Sequence, residues 1–285
     1  MLGREDLLIT GSTLGNPPFE SLAQAASAGG FRGLSLWPGP TYYAARKRGL
    51  SDADLRAILD DHGLVVNDVD AVLAWVGTER PAVIGADHPS EEEMYAAGAA
   101  LGARFANIVF IGSKTLEIER AAEMFAGMCE RAESYGLVGH IEFVPSISPI
   151  DDAATAWKVV QASGRSEAGV LIDTWHANCG PTTDADLRSL PGDRVLGIQI
   201  NDAPDLPARE LVKIGMTGRQ VPGEGCMDLV GFLGILDEIG CDAPLTVEVF
   251  SDSLPEQHGP VELARRLGDG LRGVLARARA SEGSA

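Results

Sequence analysis

The 285 residues are 45% hydrophobic and 22% charged, with 23 Lys and Arg set against 41 Asp and Glu for a net charge of −18. That is the composition of a soluble globular chain, and a surface this acidic repels a phosphate backbone, which excludes nucleic-acid binding as a main role. No run approaches the roughly 18 apolar residues of a membrane span, acidic residues break the N-terminal MLGREDLLIT where a signal peptide would be apolar, and Cys129, Cys179, Cys226 and Cys241 form no CxxC pair, as expected of a reduced, cytoplasmic protein.

In chain order, LLIT (7–10) is the first predicted strand and 18–28 the first helix. GLSLW (33–37) is followed by a helix over 51–62, opened by Ser51-Asp-Ala-Asp and stopped at Gly63. LVVNDVDAV (64–72) leads to a helix over 90–102 that begins Ser90-Glu-Glu-Glu, with acidic groups where the helix dipole favours them. ANIVFI (106–111) precedes a helix over 115–135 that ends at Gly136, and LVGHIEFV (137–144) precedes one over 151–163 behind Asp151-Asp152. GVLIDTW (169–175) is followed by a helix over 184–190, VLGIQIND (195–202) by one over 228–239 with Gly240 after it, and PLTVEVF (244–250) by a last helix over 260–280. Residues 280–285 read as a flexible tail.

Eight strand–helix pairs without a Pro/Gly/Ser-rich linker predict one domain over 1–285, an α/β fold of the (β/α)₈ TIM barrel kind, for which about 250 residues is typical. A doubly wound sheet would carry a GxGxxG turn after its first strand, and GSTLGNPP does not fit that pattern.

In a (β/α)₈ barrel the chemistry sits at the C-terminal ends of the strands. His140 and Glu142 stand at the end of the fifth predicted strand, Asp173 at the sixth with His176 just beyond, Gln199 and Asn201 at the seventh and Glu248 at the eighth. A buried carboxylate such as Asp173 needs a salt bridge, backbone N–H groups or a metal ion to offset its charge. The strand ends carry no matching basic residues. Glu142, Asp173, Gln199 and Glu248 therefore predict an oxygen-rich site for one divalent metal ion, Mn²⁺ or Mg²⁺ with Co²⁺ as an alternative. His140 faces the same way as Glu142, one layer deeper, where it either orients a bound group or is a satisfied core histidine. Trp37, Asp70 and Trp75 lie at or just past the second and third strands, where the aromatics would wall an apolar side of the pocket or simply pack. A single HxxC at His176 and Cys179 is weak ground for a zinc pair.

The motifs IEFVP (Glu142), DTWH (Asp173, His176), QINDAP (Gln199), RQVPGEG (Arg219 to Gly225) and VEVF (Glu248) in this order resemble the xylose isomerase-like TIM barrels. That group takes in sugar phosphate isomerases and epimerases, ketose 3-epimerases, inosose dehydratases and 3-dehydroshikimate dehydratases. The resemblance covers almost the whole chain. It implies a metal held by residues from strands five to eight, with His176 and Arg219 holding substrate oxygens. Two departures stand out. Gln199 occupies a position where most members have His and some dehydratase members have Gln, and Ser148 stands where the ketose epimerases carry a second Glu.

The predicted function is that of a metal-dependent isomerase or epimerase of a small sugar-like hydroxy-carbonyl compound. Glu142 and Glu248 serve as base and acid around a metal-stabilised enediolate, and His176, Arg219, His140 and Trp37 contact substrate. A metal-dependent dehydratase, a carbon–oxygen lyase acting on an inosose or 3-dehydroshikimate-type ring, shares the first half of that chemistry. A non-catalytic sugar-binding barrel is the further alternative. An apurinic endonuclease needs a His-rich three-zinc cluster that the scattered His62, His88, His140, His176 and His258 do not supply. With four Lys and no P-loop, a free sugar, cyclitol or keto-acid ring is as good a substrate as a sugar phosphate. The expected partner is that small molecule, with no nucleic acid, no membrane and room for a homo-oligomer.

Overall fold

The computed structural model describes residues 2–77, 88–112 and 115–282. Eight strands form a closed barrel in sequence order: β1 (Leu7–Thr10), β2 (Gly33–Leu36), β3 (Val65–Val76), β4 (Phe105–Gly112), β5 (Val138–Glu142), β6 (Gly169–Asp173), β7 (Val195–Ile200) and β8 (Leu245–Val247). All pair in parallel, and β8 closes on β1 through Leu7–Leu245, Leu8–Thr246 and Ile9–Val247. The continuous apolar runs follow from this topology, because a parallel strand between barrel interior and helices is buried on both faces.

The eight expected helices are present as Phe19–Ala28, Asp52–Asp61, Glu91–Leu101, Ile118–Glu133, Ala153–Ser163, Asp184–Arg188, Leu229–Glu238 and Pro260–Glu282. Ser51 with Asp54 and Ser90 with Glu93 make reciprocal capping boxes, which satisfy the first-turn N–H groups. Gly136, at φ 78°, takes the left-handed turn after its helix that a side chain would resist. The main core lies in the annulus between strands and helices, with Phe19, Leu22, Leu55, Tyr95, Phe110 and Phe125 buried there.

Several boundaries differ from the sequence reading. The sixth strand stops at Asp173, and Thr174 and Trp175 begin a helix, Thr174–Cys179. The eighth stops at Val247, although the Glu248 N–H still donates to Ile200 O at 3.1 Å. The third runs on to Val76, past a register shift between Val69 and Val72, and the Asp70–Ala71 peptide is cis. The short helices Ala208–Ile214 and Ser253–Gln257 and the turns of helix over Gly39–Tyr43 and Ala44–Lys47 are too brief to show a period in sequence. The last helix occupies 280–282 of the expected tail, and 283–285 lie outside the described residues. No helix among the described residues is long and apolar enough to cross a membrane.

Candidate active site

The polar groups at the upper ends of the strands form one connected circuit. Asn107 on β4 donates from Nδ2 to Glu142 Oε2 at 2.6 Å and to Asp70 Oδ1 at 2.7 Å. Across the barrel, Gln199 on β7 donates from Nε2 to Asp70 Oδ2 at 2.6 Å and to Glu248 Oε1 at 3.2 Å. Arg219 Nη1 donates to Glu248 Oε2 at 3.1 Å and to Asp173 Oδ2 at 2.8 Å. His176 Nε2 closes the circuit, 3.7 Å from Asp173 Oδ2 and 3.5 Å from Glu142 Oε1. Four carboxylates thus alternate with Asn107, Gln199, Arg219 and His176.

Arg219 corrects the view that these strand ends lack a basic partner. It arrives from the segment between β7 and β8 and is 3% exposed. Its guanidinium carbon lies 5.4 Å from the Trp175 ring centroid and 4.5 Å from that of Phe250, while Nε donates to Gly215 O at 2.8 Å. Asp202 anchors the segment. Its Oδ2 accepts the N–H groups of Gly223 (2.9 Å) and Gly225 (3.0 Å), and its Oδ1 those of Ala203 (2.9 Å) and Met227 (3.0 Å). Its backbone pairs with Gln220. The PGEG turn is therefore held by a carboxylate from its own QINDAP motif, and Gly225 is required there because a Cβ would meet Asp202 Oδ1 at 2.3 Å. Asp173 also has its charge compensated without a metal. Its Oδ1 accepts from the Trp175 N–H at 2.8 Å and from Asn201 Nδ2 at 2.7 Å.

The electrostatics follow from burial. Glu142 is pushed well above the usual carboxylate range by burial and then by Asp70 and Asp173. Glu248 is raised likewise, burial and Asp70 outweighing the opposing pull of Arg219. Asp70 is pushed up to about 7, mainly by burial and then by Asp68. Burial acts against ionised Asp173 as well, but Arg219 and His176 outweigh it and hold its carboxyl low. Burial lowers His176 to about 4, so its ring is neutral at physiological pH. One fixed cation among four carboxylates leaves a deficit of positive charge that protons or a divalent ion must fill.

The donor set fits such an ion. Ligand atoms of Glu142, Asp173 and His176 lie within 4.8 Å of one another, and Gln199 Oε1 is buried without a hydrogen-bond partner, as a spare ligand oxygen would be. His176, expected as a substrate contact, is thus within ligating reach. Glu248 is outside that trio, joined to Asp173 through Arg219, and Gln199 is the neighbour of Asp173 across the β6–β7 register.

A cavity of about 300 Å³ opens above the circuit, with Glu142, Glu248, Asp70, His176, Arg219 and Trp37 in its lining. Asp173 and Gln199 lie just beneath, 0% and 1% exposed. His140 does not line the cavity. Its ring stacks on Phe105 with centroids 5.6 Å apart, one layer down in the barrel. Ser148 Oγ accepts from the Ile150 N–H at 3.0 Å and serves its own turn. Asp70 and Asn107 were not expected as site residues. The signal for Asp70 is a second carboxylate two positions after Asp68 in a largely apolar strand.

The sequence profile of the xylose isomerase-like TIM barrel family matches residues 22–272. The chain belongs to that family. Among its relatives, the 3-dehydroshikimate dehydratase of Pseudomonas putida is 31% identical over 119 residues, which is 42% of this chain and 18% of that protein. The inosose isomerase of Bacillus velezensis is 30% identical over 137 residues, 47% of this chain and 48% of that protein. The matches therefore span less than half of either relative's length. Among solved structures, the IolI protein with a bound zinc atom superposes with a TM-score of 0.82 at 17% identity, over 96% of this chain and 99% of that one. The relatives named for a reaction are enzymes, and the donor set described above places a possible divalent-metal site at the same strand ends where a (β/α)₈ barrel carries its chemistry.

Proposed function

We propose that the chain is a divalent-metal-dependent isomerase or epimerase of a small hydroxy-carbonyl compound, acting by proton transfer at the carbon next to the carbonyl. The observation that carries this reading is the pair Glu142 and Glu248. They come from different strands, line one cavity, and are both raised well above the usual carboxylate range by burial. Carboxyl groups so raised hold a proton more readily than an exposed carboxylate does, which suits them to take and return one.

Glu142, Asp173, Gln199 and Glu248, with His176 in reach, would hold the ion. The neutral amide oxygen of Gln199 favours Mn²⁺ or Mg²⁺ over softer metals. When bound, the ion supplies Lewis-acid polarisation of the hydroxy-carbonyl group. Glu142 as carboxylate takes the proton from the α carbon, and the C–H electron pair moves toward the carbonyl. Glu248 as carboxylic acid returns a proton, either to the opposite face of that carbon, giving an epimer, or to the neighbouring carbon, giving an isomer. Asn107 fixes the Glu142 carboxylate through the bond to Oε2. Arg219, with Nε and Nη1 engaged, offers Nη2 to a substrate oxygen. The neutral His176 ring is a further donor, and Trp37 at the cavity edge limits water.

A dehydratase, in which the β-hydroxyl leaves as water after the same first proton transfer, is the second reading. The 119-residue match to a 3-dehydroshikimate dehydratase supports it.

The test is deuterium exchange. Protein supplied with Mn²⁺ in D₂O is incubated with a panel of inososes, ketoses and 3-dehydroshikimate. One compound should acquire deuterium at its α carbon, and its product, a new stereocentre, a moved carbonyl or a lost water, sorts the readings. Glu142→Gln and Glu248→Gln should each slow exchange by roughly 10²-fold or more. A substrate that turns over with no solvent label in product or recovered starting material would overturn the mechanism.

A further inference from the structure

Above the acidic circuit the cavity wall changes character. Two residues beyond Asn107 on β4 comes Val109, then Ile111. Two residues beyond Glu142 comes Val144. On β3, past the register shift between Val69 and Val72, comes Leu73. Val109, Ile111 and Val144 form a small apolar cluster of their own, with Ala71 and Leu73 packed on it, separate from the main core. All of them line the cavity. Period-two alternation accounts for the arrangement, since a strand that aims a polar group inward aims the residue two further on into the same space one layer up.

The apolar surface continues outward. Trp37, Ile147, Val212 and Met216 line the cavity mouth and are 36%, 48%, 39% and 67% exposed, on a protein whose net charge is −18. Exposed apolar side chains around the mouth of a concave site mark what the site receives. Toward β1 and β2 the wall is polar, with the hydroxyls of Thr10 and Ser35 bonded to Ser12 Oγ and Asp68 Oδ1 respectively, and Ser12 and Ser146 also line the cavity. A ring hydroxyl pushed against the side chains of Leu73, Val109, Ile111 and Val144 would lose water and gain no partner from them, which is unfavourable. A CH₂ group or an aromatic face would gain by the same move.

We propose that the substrate is amphipathic: a hydroxy-carbonyl end held over the Glu142–Glu248 circuit and an apolar remainder, alicyclic or aromatic, seated in the collar of Leu73, Val109, Ile111 and Val144. This rests on the site reading given under Proposed function and narrows its substrate class away from fully hydroxylated sugars and cyclitols.

The matched probes are an inosose and 2-hydroxycyclohexanone, which share a six-membered ring and a carbonyl but differ in four ring hydroxyls. Dissociation constants are measured by calorimetry on the full chain with Mn²⁺. The deoxygenated ring should bind at least tenfold more tightly. Val109→Thr, a polar replacement of the same shape, and Ile147→Gln, at a half-exposed position where folding is not at risk, should each cut that preference threefold or more. Equal or tighter binding of the inosose, no binding of 2-hydroxycyclohexanone, or a preference unchanged in both folded variants overturns the proposal. Deuterium exchange is scored separately. Label entering a tightly bound inosose sinks the substrate class and leaves the proton-transfer reading standing. Tighter binding of the deoxygenated ring without label in any compound does the reverse.

Discussion

His140 stands fully buried inside the barrel with neither ring nitrogen hydrogen-bonded, and burial alone lowers it to about 3. In the unfolded chain a histidine titrates near 6.5. Below that pH the unfolded state binds a proton that the folded state refuses, so stability is lost as pH falls from about 6.5 toward about 3, at roughly 1.4 kcal/mol per unit. Between pH 7 and pH 5 this one residue should cost about 2 kcal/mol. Urea unfolding of the wild type and of His140→Leu at both pH values checks it. The wild type should lose about 2 kcal/mol more than the variant on acidification, and equal losses would mean that the ring finds a proton-stabilising partner. The same isolation explains why the ring does not serve as a substrate contact. It packs against Phe105 below the polar circuit, at the deeper layer where period two puts it, and of the two roles open to it there the ring takes the packing one.

Among the elements, the segment between β7 and β8 positions the buried cation, and Asp202 positions the segment. Replacing Asp202 with Asn puts an NH₂ group against backbone donors, the N–H groups of Ala203, Gly223, Gly225 and Met227. Each buried N–H left unpaired costs about 1–3 kcal/mol. Asp202→Asn should lower stability by about 3 kcal/mol and speed proteolytic cutting between residues 203 and 227. Unchanged cutting with unchanged urea unfolding would show that the turn holds itself. The barrel strands were legible because buried parallel strands write themselves as apolar runs, and Glu142, Asp173, Gln199 and Glu248 because each is a polar group near the C-terminal end of such a run. Asp70 is visible in the sequence as a strand carboxylate, but the register shift in β3 hides which way it faces. Asn107 lay inside a predicted strand as an unremarked amide. The partnership of Arg219 with Asp173 spans 46 positions and is set by the Asp202 anchor, a relation that strand patterning does not encode. The helix Thr174–Cys179 begins directly at Asp173, so the apolar Trp175 extended the strand pattern falsely.

For the molecule as a whole, a ligand that binds only the folded state stabilises it by mass action. Protein stripped with chelator and then given Mn²⁺ at about 100 times its dissociation constant should gain about 2.7 kcal/mol. Thermal unfolding with and without the ion reads this, and the gain should vanish in the Glu142→Gln, Asp173→Asn double variant. A gain that survives in that variant would place the ion elsewhere.

The bond between Gln199 and Asp70 joins strands on opposite sides of the barrel, 129 positions apart in sequence. The chain can be divided on paper into β1–β4 and β5–β8, four βα units each, but the circuit does not respect that division. The first half contributes Asp70 and Asn107, and both are satisfied by the second half, through Gln199 and Glu142. Neither half carries a complete set of partners: Asp70 and Asn107 still bond each other, but Asp70 Oδ2 loses Gln199 and Glu142 Oε2 loses Asn107. Half-barrels of this chain are therefore not interchangeable parts. A chimera built by swapping one half for that of another barrel inherits a severed circuit at its seam, and duplicating either half gives two incomplete sites in place of one.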